Sequence, residues 1–382
     1  MRVLLIGCGR MGSAAAEDLA RTLSDADIVV ADSNPVAAER IVEKIGKANL
    51  SWIKLDVAER SKLVETLRDF DLALGFLPPR FGFHLMEACI QARKNLVDVS
   101  YMPENPLTLH EEALKVNVTI IPHCGLAPGI SNLLVGRAAA ELDAVEKVHI
   151  FVGGLPDKPI PPLGYVITWS PESLIEEYTS NAKIVENGEV IEVEALSGLE
   201  TVDFPGIGKL EAFYTDGLRT LLYTIRDVKE MWEKTLRYLG HAEKVRLLKE
   251  LGFFSSEEVD VNGVSLQPKK LTAKLLERKL CKPDVKDVVA LRVDVHGLKK
   301  SARVRHTYTL VDFYDEKSGV TAMARTTAYT ASAVAKLVLE GVIRLKGVVP
   351  PERLGMDREI YQRIVAELNS RGVKINVETV VE

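Results

Sequence analysis

Short apolar runs alternate with amphipathic stretches over the first part of the chain. Residues 3–6, 28–31, 50–55, 72–76, 96–99 and 118–121 are apolar runs of strand type, and between them Ala15/Leu19/Leu23 and Leu63/Leu67 recur at helical spacing. Strands alternating with helices predict βαβ units and a mainly parallel, doubly wound sheet. After Pro128 the pattern changes. A helical stretch over 130–142 leads into a strand at 148–152, and the following loop, 153–162, holds two glycines and four prolines, which end one regime and open another. Strands are predicted at 190–193 and 210–214, and a helix at 243–251. Farther on, Leu291, Val293 and Val295 face one way while Arg292, Asp294 and His296 face the other. Runs at 303–313 and 320–327, joined by a turn at 315–319, read as long antiparallel strands with one wet face. Helical period returns over 329–345. The predicted architecture is a doubly wound α/β domain over 1–128, an inserted α+β domain over 129–327, and a segment, 328–382, that packs back on the first domain.

The first strand is followed at once by Gly7-Cys8-Gly9-Arg10-Met11-Gly12, and a helix opens there. Gly7 permits the tight turn, Gly9 lets backbone approach a pyrophosphate, and Gly12 lets helix and strand pack closely. The first-turn amides of Arg10 and Met11 and the positive end of the helix dipole then face the phosphates. Asp32 ends the second strand, 20 residues after Gly12, where a carboxylate can bind the adenosine ribose hydroxyls. This context makes the first domain a Rossmann-type dinucleotide-binding domain. A carboxylate at 32 would also repel a 2′-phosphate, Ser33 and Asn34 bring no cation, and Arg40 lies on a helix face, so NAD is expected over NADP. Asp56, with Val57, follows the third strand; it is either an adenine contact or a helix N-cap. Phe76 and Leu77 end the fourth strand at the carboxyl edge of the sheet, where ligands collect in this architecture.

Composition narrows the classes. With 47% hydrophobic and 27% charged residues the chain has ample material for a core, and a net charge of −5 argues against nucleic acid or an anionic membrane as partner. Cys8, Cys89, Cys124 and Cys281 are scattered without CxxC spacing, so neither a disulfide framework nor a zinc site is expected, and a reducing cytoplasm is the simplest setting. No apolar run is long enough to span a bilayer. His84, His110, His149, His296 and His306 show no ligand spacing, and no metal site is expected.

Five further motifs say more about the reaction. They are Asp98-Val99-Ser100-Tyr101, then Gly125-Leu126-Ala127-Pro128-Gly129-Ile130, Gly153-Gly154-Leu155-Pro156, Thr235-Leu236-Arg237-Tyr238 with Gly240-His241, and Ala324-Arg325-Thr326-Thr327-Ala328-Tyr329. Taken in this order, they resemble the saccharopine dehydrogenase family over almost the whole chain, and within it the lysine 6-dehydrogenase branch. The resemblance implies a nucleotide-binding domain, an inserted substrate and dimerisation domain, a C-terminal return, and a homodimer or higher assembly. It also implies hydride exchange at a carbon bearing the side-chain nitrogen of a lysine-like amino acid. By the same resemblance Val99, Ser100, Tyr101, Gly125, Leu126 and Ala127 border nicotinamide and substrate, and Ser170 contacts the cofactor. Arg219 and the Thr235, Leu236, Arg237 stretch hold the substrate carboxylate. The saccharopine-forming members carry an acid where this chain has Ala127 and a cysteine where it has Val152, which points away from saccharopine and toward lysine.

Oxidising lysine at its ε-carbon needs the carbon near the nicotinamide, the ammonium deprotonated and the α-carboxylate clamped. Arginine offers a bidentate fork for the clamp; Arg237 is the first candidate and Arg219 the second. For the proton, Tyr101, His241 and His123 compete, and bulk water can also serve. The expected reaction is NAD-dependent oxidative deamination to 2-aminoadipate 6-semialdehyde. The alternatives are an NADPH-linked reductase joining an amine to a semialdehyde, of the saccharopine or carboxynorspermidine type, and a non-catalytic dinucleotide-sensing scaffold.

Overall fold

The structure is a computed structural model of the 382-residue chain and describes residues 1–167, 171–282 and 285–381. It divides into two compact units, one made of Met1–Glu141, Arg219–Thr224 and Ala324–Lys374, the other of Leu142–Leu218, Ile225–Met323 and Ile375–Glu382.

In chain order the elements begin with β1 (Arg2–Ile6), α1 (Arg10–Thr22), β2 (Asp27–Asp32), α2 (Pro35–Ile45), β3 (Leu50–Lys54) and α3 (Arg60–Leu67). There follow β4 (Leu72–Gly75), α4 (Pro79–Ala92), β5 (Asn95–Asp98), α5 (His110–Lys115), β6 (Thr119–Ile121) and α6 (Ile130–Ala139). Helix boundaries obey local chemistry: the Asn34 side chain accepts the Ala37 amide to start α2, and Gly46 ends it in the left-handed region at φ 62°. The middle of the chain gives β7 (Ala144–Pro156), α7 (Pro171–Thr179), β8 (Ala182–Glu186), β9 (Glu189–Val193), β10 (Glu200–Phe204), β11 (Gly208–Tyr214), α8 (Leu221–Thr224), β12 (Glu230–Tyr238) and α9 (His241–Glu250). The rest comprises β13 (Val259–Val261), β14 (Val264–Leu266), α10 (Pro268–Leu280), β15 (Asp287–Lys299), β16 (Ala302–Phe313), α11 (Ala322–Leu339), β17 (Gly347–Val348), α12 (Pro351–Met356), α13 (Arg358–Ser370) and β18 (Asn376–Val381).

The first unit is built on a parallel sheet of order β17-β6-β5-β4-β1-β2-β3. The order reverses between β1 and β4, the place where open α/β sheets bind ligands beyond their strand ends. Val3, Leu4 and Leu5 of β1 are fully buried, as a central strand covered on both faces requires. The short seventh strand, β17, was not expected from the hydrophobic pattern; its two residues are too few to give a period.

Among the described residues the second unit carries a nine-stranded sheet, β10-β11-β12-β7-β15-β16-β18 with β8 and β9 attached, in which only the β7–β12 pair is parallel. Two expectations are corrected here. Residues 153–156 are not the start of a loop but the end of β7, paired with β15. Their glycines serve close approach, not a turn: a Cβ at Gly153 would lie 2.6 Å from the Leu236 carbonyl oxygen. Residues 322–327 are the first turns of α11, not a strand. The Asp287 carboxylate accepts the Ala322 and Met323 amides at 2.6 and 2.9 Å, a helix start supplied by a residue far away in sequence. The alanine-rich stretch behind it then favours helix despite its alternating look. No helix among the described residues is long and apolar enough to cross a membrane.

Candidate active site

At the carboxyl ends of the parallel strands, one row of backbone hydrogen bonds joins four loops. Gly7 donates to Ala31 at 2.8 Å, Phe76 to Ile6 at 2.8 Å, Val99 to Gly75 at 3.1 Å and Cys124 to Asp98 at 2.8 Å. The loops after β1, β4, β5 and β6 are thus fixed side by side, and with them most of the residues singled out in the sequence.

The three glycines divide their duties. At Gly7 (φ 97°) a Cβ would lie 2.4 Å from the Phe76 carbonyl oxygen, and at Gly12 it would lie 1.8 Å from that of Gly7. Both are occupied by packing. At Gly9 a Cβ would meet nothing within 4 Å, so the face that a pyrophosphate would approach is open, beside the first turn of α1 with Arg10 and Met11. Asp32 reaches back to this loop: its Oδ2 accepts the Cys8 amide at 2.9 Å and its Oδ1 the Asn34 amide at 2.9 Å. Each oxygen keeps acceptor capacity for ribose hydroxyls. Burial, reinforced by Asp32, pushes the Cys8 thiol up to about 12, so it stays protonated. Asp56 is not the N-cap of α3, which starts at Arg60 behind Glu59; its Oδ1 accepts the Ala58 amide at 3.0 Å and shapes the turn before it, with Val57 buried. Phe76 and Leu77 are half-buried at the end of β4.

The loop after β5 is organised by Asp98, a residue to which the sequence pattern alone assigns no role. It is fully buried, and a Cβ at Gly75 would lie 2.0 Å from its Oδ1, so glycine makes its room. Burial raises its carboxyl to about 7, against hydrogen bonds from Ser100 that lower it. The Ser100 amide (2.8 Å) and hydroxyl (3.0 Å) both donate to Asp98, so the hydroxyl expected to meet substrate is turned inward. Tyr101 carries the Arg219 guanidinium 3.8 Å above its ring centroid, a stacked cation–π contact within the first unit. His123, in the left-handed region at φ 54°, is fully buried. Its Nδ1 lies 3.1 Å from the Ser100 carbonyl oxygen, and its Nε2 has no hydrogen-bond partner among the described residues. Burial, with Arg219 second, lowers its pKa to about 3, so the ring is neutral and Nδ1 is the donor. The 125–129 turn closes by bonds from Gly125 to Pro128 and from Ile130 to Gly125, with Leu126 buried and Ala127 half-buried.

The remaining candidates belong to the second unit. Leu236 is part of its apolar core, and Thr235 bonds the Thr215 hydroxyl at 2.9 Å. Arg237 is buried with its fork committed: to Glu177 Oε1 at 2.8 Å, to the Leu236 carbonyl at 2.9 Å and to the Tyr178 hydroxyl at 3.4 Å, over the Tyr165 ring. His241 has both ring nitrogens engaged, Nδ1 with the Leu163 carbonyl at 2.9 Å and Nε2 with the Tyr178 hydroxyl at 2.8 Å. Burial, with Arg237 second, lowers its pKa to about 3, so it cannot serve as a base that holds a proton near neutral pH. Ser170 lies outside the described residues.

The buried histidine sets a pH dependence. A folded pKa of about 3 against the ordinary 6.5 means that only the unfolded chain takes a proton there as the pH falls below 6.5. His241 thus contributes stability that is complete above pH 6.5 and is lost on acidification, by about 2 kcal/mol between pH 6.5 and 5. His123 acts in the same direction, and Asp98, raised to about 7, in the opposite one. Urea titrations of His241→Gln at these two pH values should show a loss about 2 kcal/mol smaller than that of the unaltered protein; an equal loss would refute the assignment.

A family model described as the saccharopine dehydrogenase NADP binding domain matches residues 3–121, and one described as the saccharopine dehydrogenase C-terminal domain matches residues 125–373. The chain belongs to the saccharopine dehydrogenase family. Within that family it is 24% identical to the saccharopine dehydrogenase [NADP(+), L-glutamate-forming] of Schizosaccharomyces pombe, covering 100% of this chain and 99% of that one. It is 25% identical to an alpha-aminoadipic semialdehyde synthase of Arabidopsis thaliana over 98% of its own length, but spans only 44% of that longer protein. Among solved structures, apo saccharopine dehydrogenase (L-Glu forming) from Saccharomyces cerevisiae superposes with a TM-score of 0.81 over 99% of both chains at 22% identity, which shows a shared fold.

Proposed function

We propose that this member of the saccharopine dehydrogenase family is a dehydrogenase that oxidises L-lysine at the ε-carbon with NAD and water, giving 2-aminoadipate 6-semialdehyde, ammonia, NADH and a proton; the water supplies the aldehyde oxygen as the C–N bond breaks. The observation that carries the reading is the shared row of strand ends, which bears both the open Gly9 face and the Arg219–Tyr101 stack in one compact unit. In the proposed division of labour, residues 1–128 hold the nucleotide, 129–327 contribute substrate contacts and dimerisation, and of the segment 328–382 the part up to Lys374 completes the first domain, while β18 pairs with β16 in the second unit.

When bound, the nicotinamide supplies the hydride acceptor. Gly9 and the first turn of α1 take the pyrophosphate, and Asp32 takes the adenosine ribose. Arg219 receives the α-carboxylate on its planar edge while its face rests on Tyr101. His123, neutral and fully buried, holds the Ser100 loop through Nδ1, and the proton leaves to water. Arg237, paired with Glu177, supports the fold around it and is the second candidate for the clamp. Ala127 and Val152 favour the small substrate over saccharopine.

Asp32 supports NAD in a family whose matching domain model carries an NADP label. The test is nucleotide reduction with lysine and either NAD or NADP. NADH should form much faster than NADPH, and Asp32→Ser should narrow the preference by about tenfold, since the repelling carboxylate is gone. Failure of lysine to reduce either nucleotide would overturn the reading. Consumption of NADPH with a semialdehyde and a second amine would replace it by the reductive, saccharopine-type reaction.

A further inference from the structure

Glu352 is a buried carboxylate to which the proposed reaction gives no task. It lies in the first turn of α12, fully buried, where that helix crosses α6 at very short range. A Cβ at Gly136 would lie 2.0 Å from the Glu352 carbonyl oxygen, and one at Gly355 would lie 2.0 Å from that of Leu133. Only glycines allow this crossing, and it brings the Glu352 carboxylate against the opening turn of α6. There Oε1 accepts from the Thr224 hydroxyl at 2.7 Å and Oε2 from Asn132 Nδ2 at 3.3 Å; the Thr220 hydroxyl bonds the same carboxylate.

Both threonines belong to Arg219–Thr224, the short stretch that lies in the first unit although the chain on either side of it belongs to the second. Arg219 directly precedes Thr220 and holds a left-handed backbone at φ 48°, a conformation that persists in a non-glycine residue only when its surroundings enforce it. On the other side, Asn132 Oδ1 accepts the Gly129 amide at 3.3 Å and the Ser131 hydroxyl at 3.0 Å. One acid thus ties the stretch carrying Arg219 to the end of the 125–129 turn. A hydrocarbon side chain could fill the same space without the cost of burying a carboxylate. What the carboxylate adds is direction, because donors from separate segments converge on its two oxygens.

We propose that Glu352 is a positioning residue for substrate recognition: by anchoring Thr220 and Thr224 it holds the Arg219 guanidinium over Tyr101, where it takes the substrate carboxylate. This role rests on the reading of Arg219 given above.

Thr224→Val in the full-length protein removes the shortest of these bonds without changing shape, and Thr224→Ser restores it; Glu352→Gln is the companion variant. Backbone hydrogen exchange in a peptide spanning residues 219–224 should accelerate about tenfold in Thr224→Val and Glu352→Gln, with the parallel sheet unchanged. The KM for lysine should rise about tenfold, with kcat and the nucleotide dissociation constant within about twofold, because a displaced arginine weakens capture of the carboxylate and not the chemistry. Thr224→Ser should behave as the unaltered protein. In an Arg219→Ala background, Thr224→Val should have no further effect on KM, since both act through one contact. Unchanged exchange at 219–224 would overturn the anchor, whatever substrate the enzyme accepts. Accelerated exchange with an unchanged KM, where Arg219→Ala itself raises KM, would overturn the link to recognition. A wild-type KM in Arg219→Ala would instead bring down the reading of Arg219, and this role with it.

Discussion

Arg219→Ala is expected to raise the KM for lysine about a hundredfold, with kcat within about threefold and the nucleotide dissociation constant unmoved. Stacking on Tyr101 at 3.8 Å uses the face of the guanidinium, and hydrogen bonding to a carboxylate uses its edge, so the two do not compete. Truncating one side of a largely desolvated ion pair costs about 3 kcal/mol, roughly a factor of a hundred in affinity. The α-carboxylate lies at the opposite end of lysine from the reacting carbon. The contact is therefore as strong in the ground state as in the transition state, and its loss falls on KM. Arg219→Lys keeps the charge without the fork and should recover about half of the lost free energy. A diamine of the same length lacks the carboxylate, so the ratio of lysine to diamine turnover should collapse in Arg219→Ala. Equal losses for lysine and diamine would show that Arg219 does not bind the carboxylate.

The parts of this site that were legible in the sequence are those where local chemistry and backbone geometry coincide. Gly7, Gly9 and Gly12 follow a buried strand and precede a helix, a context in which each glycine has a separate steric reason, and Asp32 stands where the second strand must end. The parallel unit could be read from its apolar runs because a strand covered on both faces needs little from distant residues. The second unit was harder, since its signals are made elsewhere. The helix from Ala322 is started by Asp287, 35 residues earlier, and alternation at 320–327 concealed it. Gly153 and Gly154 looked like a turn because their reason, the nearby Leu236 backbone and Met323 side chain, is not local.

The same distinction sorts the candidate site residues. Ser100 was placed correctly at the end of β5, but its hydroxyl points to Asp98, a buried acid two residues before it. An acid closing an apolar strand beside a serine is the signal in the sequence, but it does not say that the acid is buried and takes the hydroxyl. His241 follows Arg237 by four residues, a spacing compatible with a shared pocket. They do share a buried cluster, through Tyr178, but one that saturates both imidazole nitrogens. Glu352 had no signal at all: nothing near Pro351 says that two threonines more than 120 residues away donate to its carboxylate.

Arg237→Ala is expected to cost the protein about 3–5 kcal/mol of stability, because it strands a buried charge. The side chains of Arg237 and Glu177 are only 4% and 11% exposed, and Glu177 accepts from the guanidinium at 2.8 Å. Burial already raises the Glu177 carboxyl, and Arg237 is the first influence holding it down. Without the arginine, burial acts with much less opposition, so the folded pKa of Glu177 moves farther above its unfolded value near 4.5 and the neutral acid becomes the form that the fold prefers. The stability deficit of Arg237→Ala should therefore be largest above that folded pKa and shrink as the pH falls through it toward 4.5. Adding Glu177→Gln removes the stranded charge and should return most of the stability at pH 7, a coupling that a double-mutant cycle in urea measures directly. The same pair of variants decides between the two roles open to Arg237. If the arginine serves the fold, the double variant should bind lysine with a KM within about threefold of the unaltered protein. If it clamps the substrate carboxylate, KM stays raised about a hundredfold even after stability returns. An Arg237→Ala variant as stable as the parent, with no pH dependence of its deficit, would mean that the buried pair contributes nothing to this fold.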